Sequence, residues 1–130
     1  MGKEKRVLIV TDGTEPVAKT AQSIADLLTG CSVNIRASES FEGTDLLPAD
    51  VFFIGCGTPN PASFGYLSKM LEHINLSGRH CGVFSNNSDA LKYLCGIVVS
   101  CEAKMGKPLL VGEDPADSIN QLLKEIVYNS

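Results

Sequence analysis

At 130 residues the chain is long enough for one domain with a full core, and its 44% hydrophobic content is that of an ordinary globular protein. A net charge of −4 argues against nucleic acid, whose phosphates demand clustered Lys and Arg. No apolar run nears the roughly 20 residues of a membrane span, and the amino terminus lacks a signal-type hydrophobic region, so a cytoplasmic protein away from membranes is expected.

The first predicted strand is Val7-Leu8-Ile9-Val10. It runs into the polar turn Thr11-Asp12-Gly13-Thr14 and then a helical pattern of Val17, Ala21, Ile24, Ala25, Leu27 and Leu28. A helix amino terminus offers unpaired N–H groups and a positive dipole end, so Thr11, Gly13 and Thr14 are candidates to cradle an anion. The same residues also suit an ordinary strand-to-helix turn with Thr14 as N-cap. Ser32 to Arg36 alternates as a short strand, and the polar stretch Ala37 to Asp50 leaves room for at most one short helix.

Val51 to Gly55 is a continuous apolar run, as in a strand covered on both faces, and ends in the breaker-rich Cys56-Gly57-Thr58-Pro59-Asn60-Pro61. A helix is predicted over Phe64 to Ile74, closed by Gly78, and a strand over His80 to Phe84. Ser85 to Asp89 is a polar loop rich in capping residues. The pattern then predicts a long helix from Ala90 to Met105 with Gly106 as its stop, and a fifth strand over Pro108 to Val111. Asp114 and Pro115 suit the start of a last helix, with Leu122, Leu123, Ile126 and Val127 as its apolar face.

Strands alternating with helices favour a five-stranded parallel sheet with helices on both faces. For five strands with right-handed crossovers the natural doubly wound order is 2-1-3-4-5. Residues 1–130 are read as one such domain. Ligands of such sheets bind where the strand order reverses, among the loops after strands one, three and four. The five cysteines, Cys31, Cys56, Cys81, Cys95 and Cys101, show no C-x-x-C and no zinc-type spacing, and read as buried small hydrophobes. Neither a metal site nor a catalytic acid, base or nucleophile is expected. Tyr93 reads as a packing residue, and His73 and His80 have no carboxylate or Cys arranged beside them.

Three segments in order carry a family resemblance. The stretch Val7 to Ala18 resembles the phosphate-loop segment of flavodoxins, and Phe53-Ile54-Gly55-Cys56-Gly57-Thr58-Pro59 is similar to their third strand and flavin-flanking loop. Val83 to Gly96, ending Tyr93-Leu94-Cys95-Gly96, resembles the segment after their fourth strand. The resemblance to a short-chain flavodoxin spans nearly the whole chain. It implies the flavodoxin-like fold, non-covalently bound FMN, and electron transfer to redox partner proteins rather than catalysis on a substrate of its own. Thr11, Asp12, Gly13, Thr14 and Glu15 would then hold the phosphate end. Thr58, Pro59 and Asn60, with Ser85, Asn86, Asn87, Ser88 and Leu91, would bracket the ring.

The chain departs from that family where it matters. Its turn is shorter than the family's, with Thr11 and Thr14 only three apart; Asp12 puts a like charge near a phosphate, and Pro16 lacks an N–H. The two stacking aromatics fall at Pro59 and Leu91, a loss of roughly a kilocalorie or more per face, with Phe64 or Tyr66 left to supply a ring. No acidic residue lies between Thr58 and Ser68 to steer a basic partner. These departures leave weak FMN binding or none as the alternative: the same fold serving as a binding or regulatory module.

Overall fold

The computed structural model describes residues 5–28, 30–46, 48–59, 61–111 and 116–124. In chain order these form β1 (Arg6–Thr11), α1 (Glu15–Leu27), β2 (Ser32–Ala37), α2 (Gly43–Leu46) and β3 (Val51–Gly55). A 3₁₀ turn (Ala62–Phe64) leads into α3 (Gly65–His73) and β4 (His80–Ser85). Then come α4 (Ser88–Ser100), two short strands, β5 (Lys104–Met105) and β6 (Leu109–Leu110), and α5 (Ala116–Leu123). All the described strand pairs are parallel, in the order β2-β1-β3-β4-β5 with β6 also on β4.

The predicted order 2-1-3-4-5 is therefore the observed one, with the fifth strand split into β5 and β6. Cys81 pairs with Met105 and Phe84 with Leu109. Two residues of β4 between those pairs thus face three, Gly106, Lys107 and Pro108, on the outer strand. One extra residue is a β-bulge, and Pro108, which has no N–H to give the ladder, sits in it.

Alternation along the apolar strands builds two cores. Val7, Ile9, Val51, Phe53 and Phe84 face α1 and α5, against Val17, Ala21, Ile24, Ile119, Leu122 and Leu123. Leu8, Val10, Phe52, Ile54, Cys81 and Val83 face α2, α3 and α4, against Leu46, Leu67, Leu71, Leu94 and Val98. Helices thus cover both faces, and the continuous apolar run of β3 reads as buried throughout.

Two predicted helix ends move, and α4 starts at Ser88 rather than Ala90. The helix expected to reach Met105 ends at Ser100, with Cys101 as its C-cap and Glu102 in the left-handed region at φ 62°. The reason is length: thirteen helical residues span about 20 Å, as does a six-residue strand, so the chain must turn there to reach the start of β4. The Leu76 N–H donates to the Cys101 carbonyl at 2.7 Å and fastens that turn. Likewise α3 ends at His73, and Gly78, at φ 91°, shapes the approach to β4 rather than closing the helix. The expectations at Asn60, Asp114, Pro115, Ile126 and Val127 lie outside the described residues. Among the described residues no helix is long and apolar enough to cross a membrane.

Candidate functional site

Strand register decides what meets at the carboxyl edge of the sheet. Thr11 pairs with Gly55, and Gly55 with Phe84, so β1, β3 and β4 end on one line and their loops start side by side. A side chain at Gly55 would clash with Phe84, because even its Cβ would stand under 3.0 Å from three atoms of that ring.

The turn after β1 is organised by Asp12. Gly13 takes φ 84°, and its N–H donates to Thr11 Oγ1 at 3.3 Å. Asp12 Oδ1 accepts from the Thr14 N–H at 3.1 Å and from the Thr14 hydroxyl at 2.7 Å. Asp12 Oδ2 reaches across to the next loop and accepts from the Gly57 N–H at 2.9 Å. Thr14 does stand at the N-cap position of α1, but its side chain makes no capping bond. Its hydroxyl is given to Asp12 instead. Glu15 is exposed at the first helical residue and Pro16 follows in the first turn.

The loops after β3 and β4 are tied in the same way. The Ser85 hydroxyl, fully buried, donates to the Cys56 carbonyl and accepts from the Asn87 N–H at 3.0 Å. Asn87 Oδ1 caps α4, accepting from the N–H groups of Asp89 and Ala90 at 2.9 and 3.0 Å. Thr58, Pro59, Asn86 and Ser88 are exposed, and Leu91 is half-buried against the α3–α4 core. The structure thus gathers Thr11, Asp12, Gly13, Thr14, Glu15, Thr58, Pro59, Ser85, Asn86, Asn87, Ser88 and Leu91 at one edge. Only some of them present side chains outward. Asp12, Ser85 and Asn87 have theirs engaged within the rim, whereas Asn86 and Ser88 make no side-chain hydrogen bond to any described residue.

Neither aromatic with potential to supply a ring does so. Phe64 is fully buried and packs on Tyr93 with centroids 6.4 Å apart. Tyr66 is exposed but leans on Phe41 at 6.0 Å, and its hydroxyl accepts from the Gly43 N–H at 3.3 Å. The acidic groups of the rim come from the other two loops, as Glu15 and Asp89 are both exposed in first helical turns.

Cys56, Cys81 and Cys101 are buried as expected, whereas Cys31 and Cys95, also expected to be buried, are half-exposed. Burial, then the charge of Asp12, pushes Cys56 up to about 12, against a smaller lowering by the Thr58 N–H. Burial likewise raises Cys81, Cys95 and Cys101. Nucleophilic use of a thiol needs the opposite shift. The Tyr93 hydroxyl is buried with no partner at bonding distance; burial raises its pKa, and Ser68 lies near enough only to offset part of that rise. Among the described residues no three His, Cys, Asp or Glu side chains gather as a metal site requires.

Sequence reading placed Asp12 at the phosphate end but not as the acceptor that organises the rim, and it missed Gly57 as the donor from the neighbouring loop. The signal was present, since Asp-Gly-Thr after a strand is an Asx-turn sequence in which the carboxylate bonds the backbone two residues on.

A parallel sheet with three loops gathered where its order reverses is the ligand-binding architecture of doubly wound α/β proteins. More narrowly, the chain has the flavodoxin fold. The flavodoxin of Streptococcus pneumoniae TIGR4 superposes with a TM-score of 0.81 at 19% identity, over 96% of this chain and 99% of that one. A short-chain flavodoxin associated with a non-canonical PDU bacterial microcompartment gives 0.76 at 15% identity, over 98% and 99%. The Fusobacterium nucleatum flavodoxin bound to flavin mononucleotide gives 0.72 at 13%, over 95% and 99%. No protein-family model matches the sequence, and no curated protein does.

Proposed function

We propose that the chain is a flavodoxin-type electron carrier, holding a flavin non-covalently at the rim formed by Thr58, Pro59, Asn86, Ser88 and Leu91. The observation that carries this reading is the register Thr11–Gly55–Phe84, which brings the three loops together at the switch point of the sheet. The fold shared with flavodoxins, one of them bound to flavin mononucleotide, supports it.

The fit of that cofactor is uneven. At the ring end the exposed amide of Asn86 and hydroxyls of Thr58 and Ser88 suit the polar edge of a flavin, and Pro59 and Leu91 offer apolar contact. The phosphate end does not fit, because the Thr14 N–H, Thr14 hydroxyl and Gly57 N–H already serve the Asp12 carboxylate. A bound flavin supplies the redox chemistry, and the protein supplies binding, orientation and field. Asn86 and Ser88 would orient the ring, Leu91 and Pro59 would exclude water from it, and Glu15 and Asp89 would draw a basic redox partner toward the rim.

The test is the absorbance spectrum of freshly purified protein, followed by melting curves with riboflavin and with FMN. Flavin bands, or a raised melting temperature with either ligand, are expected. Colourless protein whose melting point neither flavin moves at millimolar concentration overturns the proposal. A second reading, a flavin-free docking module on the same fold, is favoured by one observation: the two aromatics that could supply a ring are engaged elsewhere, with Phe64 buried and Tyr66 turned to Phe41.

A further inference from the structure

The turn after β1 is built as an anion site and already contains its anion. It joins a strand end to the amino terminus of a thirteen-residue helix, where the dipole is positive and N–H groups lack helical partners. Into that position the chain folds the Asp12 carboxylate. Its two oxygens accept from three donors that belong to two different loops: the Thr14 N–H and hydroxyl at 3.1 and 2.7 Å, and the Gly57 N–H at 2.9 Å. The loops close tightly around this arrangement. A Cβ at Gly57 would stand 2.7 Å from Thr14 Oγ1 and 3.2 Å from two further Thr14 atoms. Immediately downstream, Glu15 adds a second exposed negative charge and Pro16 offers no N–H.

We infer that Asp12 is a specificity-determining residue that fills the phosphate position from within, so that this rim takes a neutral flavin in preference to its phosphate ester. The inference rests on the flavin-carrier reading for its ligand, but the exclusion of phosphate stands on the Asp12 geometry alone. Two steps lead to it. A phosphate at this turn would find its donors in use, and displacing the carboxylate would leave that charge a few ångströms from a dianion. Like charges at such a distance disfavour the pair strongly enough to cost about tenfold or more in affinity even near the surface. A flavin without phosphate meets neither obstacle.

The wild-type protein is titrated with riboflavin and with FMN, following flavin fluorescence, and melted in inorganic phosphate and in chloride of equal ionic strength. Riboflavin is expected to bind about tenfold or more tightly than FMN, and phosphate is expected to leave the melting temperature where chloride leaves it. Asp12→Ser keeps a hydroxyl acceptor for the Thr14 N–H while removing the charge. It is expected to reverse the preference toward FMN and to melt higher in phosphate than in chloride. Tighter binding of FMN than riboflavin by the wild type, or stabilisation of the wild type by phosphate, overturns the inference, and neither needs the variant to fold. If neither flavin binds, the carrier reading fails by itself. The phosphate melts then still test the exclusion of phosphate: stabilisation of Asp12→Ser but not of the wild type upholds it, and a stabilised wild type, or a folded variant that phosphate leaves unmoved, overturns it.

Discussion

Asp12 Oδ2 accepts a hydrogen bond from the Gly57 N–H at 2.9 Å, across 45 residues of chain. That single contact joins the loops after β1 and β3, and it demands that position 57 have no side chain. A Cβ there would meet Thr14 Oγ1 at 2.7 Å, and that hydroxyl is itself held by Asp12 Oδ1 at 2.7 Å, so it cannot swing away without losing its bond. Gly57→Ala is therefore expected to destabilise the protein by about 1–3 kcal/mol, the usual range for overpacking. Thr14→Ala in the same chain removes the hydroxyl and one methyl from the clash, so the double variant should lose less than the sum of the singles. Urea unfolding of the four proteins measures this directly. An alanine at 57 with wild-type stability would show that the loops are looser than this geometry requires.

The end of β4 is tied down by a buried hydroxyl. Ser85 donates to the Cys56 carbonyl and accepts from the Asn87 N–H, so one side chain satisfies a group on each of two loops. Ser85→Ala strands both groups at a fully buried position. The expected cost is about 1–3 kcal/mol, read as a lower urea midpoint with an unchanged m-value. A change in the slope would mean that the native state itself had loosened. An unmoved midpoint would mean that water replaces the hydroxyl at no cost.

Most of the fold was legible because the three central strands are short, apolar and bounded by breakers. Val7 to Val10, Val51 to Gly55 and His80 to Phe84 carried the parallel sheet, and alternation with helices carried its order. The end of α4 was not legible, because Glu102 fills a left-handed position that glycine usually marks. No local signal announces it; the length of the sheet beneath the helix sets it. The split of the last strand at Gly106, Lys107 and Pro108 shows in its pairing with β4, and Pro108, with no N–H for the ladder, is the one local sign of it. At the rim, residue type located the loops correctly but not their chemistry. An exposed-looking Ser85 or Asn87 can spend its polar atoms on a presenting role or on its own backbone, and only the geometry separates the two. Asp12 is the sharpest case: as a residue type it reads as a like charge near a phosphate, whereas in place it is the group that occupies the donors.

Glu102 offers a stabilising change. Its φ of 62° places a Cβ in the left-handed region, and its carboxylate gains only an exposed 3.3 Å bond from Asn75 Nδ2 in return. Left-handed backbone costs an L-residue with a side chain about 1 kcal/mol relative to glycine, and an exposed amide–carboxylate bond contributes less. Glu102→Gly is therefore expected to raise stability by about 0.5–1 kcal/mol, seen as a melting temperature higher by a few degrees. A lower melting temperature would mean that the Asn75 contact or the flexibility glycine adds to the unfolded chain outweighs the strain.

Cys56 makes the protein lose stability in alkali. Its thiol titrates at about 12 in the folded state against an ordinary value of 9.0, because burial and then the Asp12 charge oppose the thiolate. Between those two values the unfolded chain has released the proton and the folded chain has not. The native state then binds more protons, so stability is intact below pH 9.0 and falls as pH rises toward the folded value. One such group steepens the decline by at most about 1.4 kcal/mol per pH unit. Cys56→Ala should flatten the loss of stability above pH 9.0, while Cys81, Cys95 and Cys101, also raised by burial, keep part of it in place. Asp12→Ser should act in the same direction but less, since it removes the second cause of the shift and leaves the first. Urea midpoints taken from neutral pH upward test the ordering: wild type should lose most, Asp12→Ser less, and Cys56→Ala less again. Parallel curves for the three proteins would show that the thiol at the end of β3 has no part in the alkaline loss.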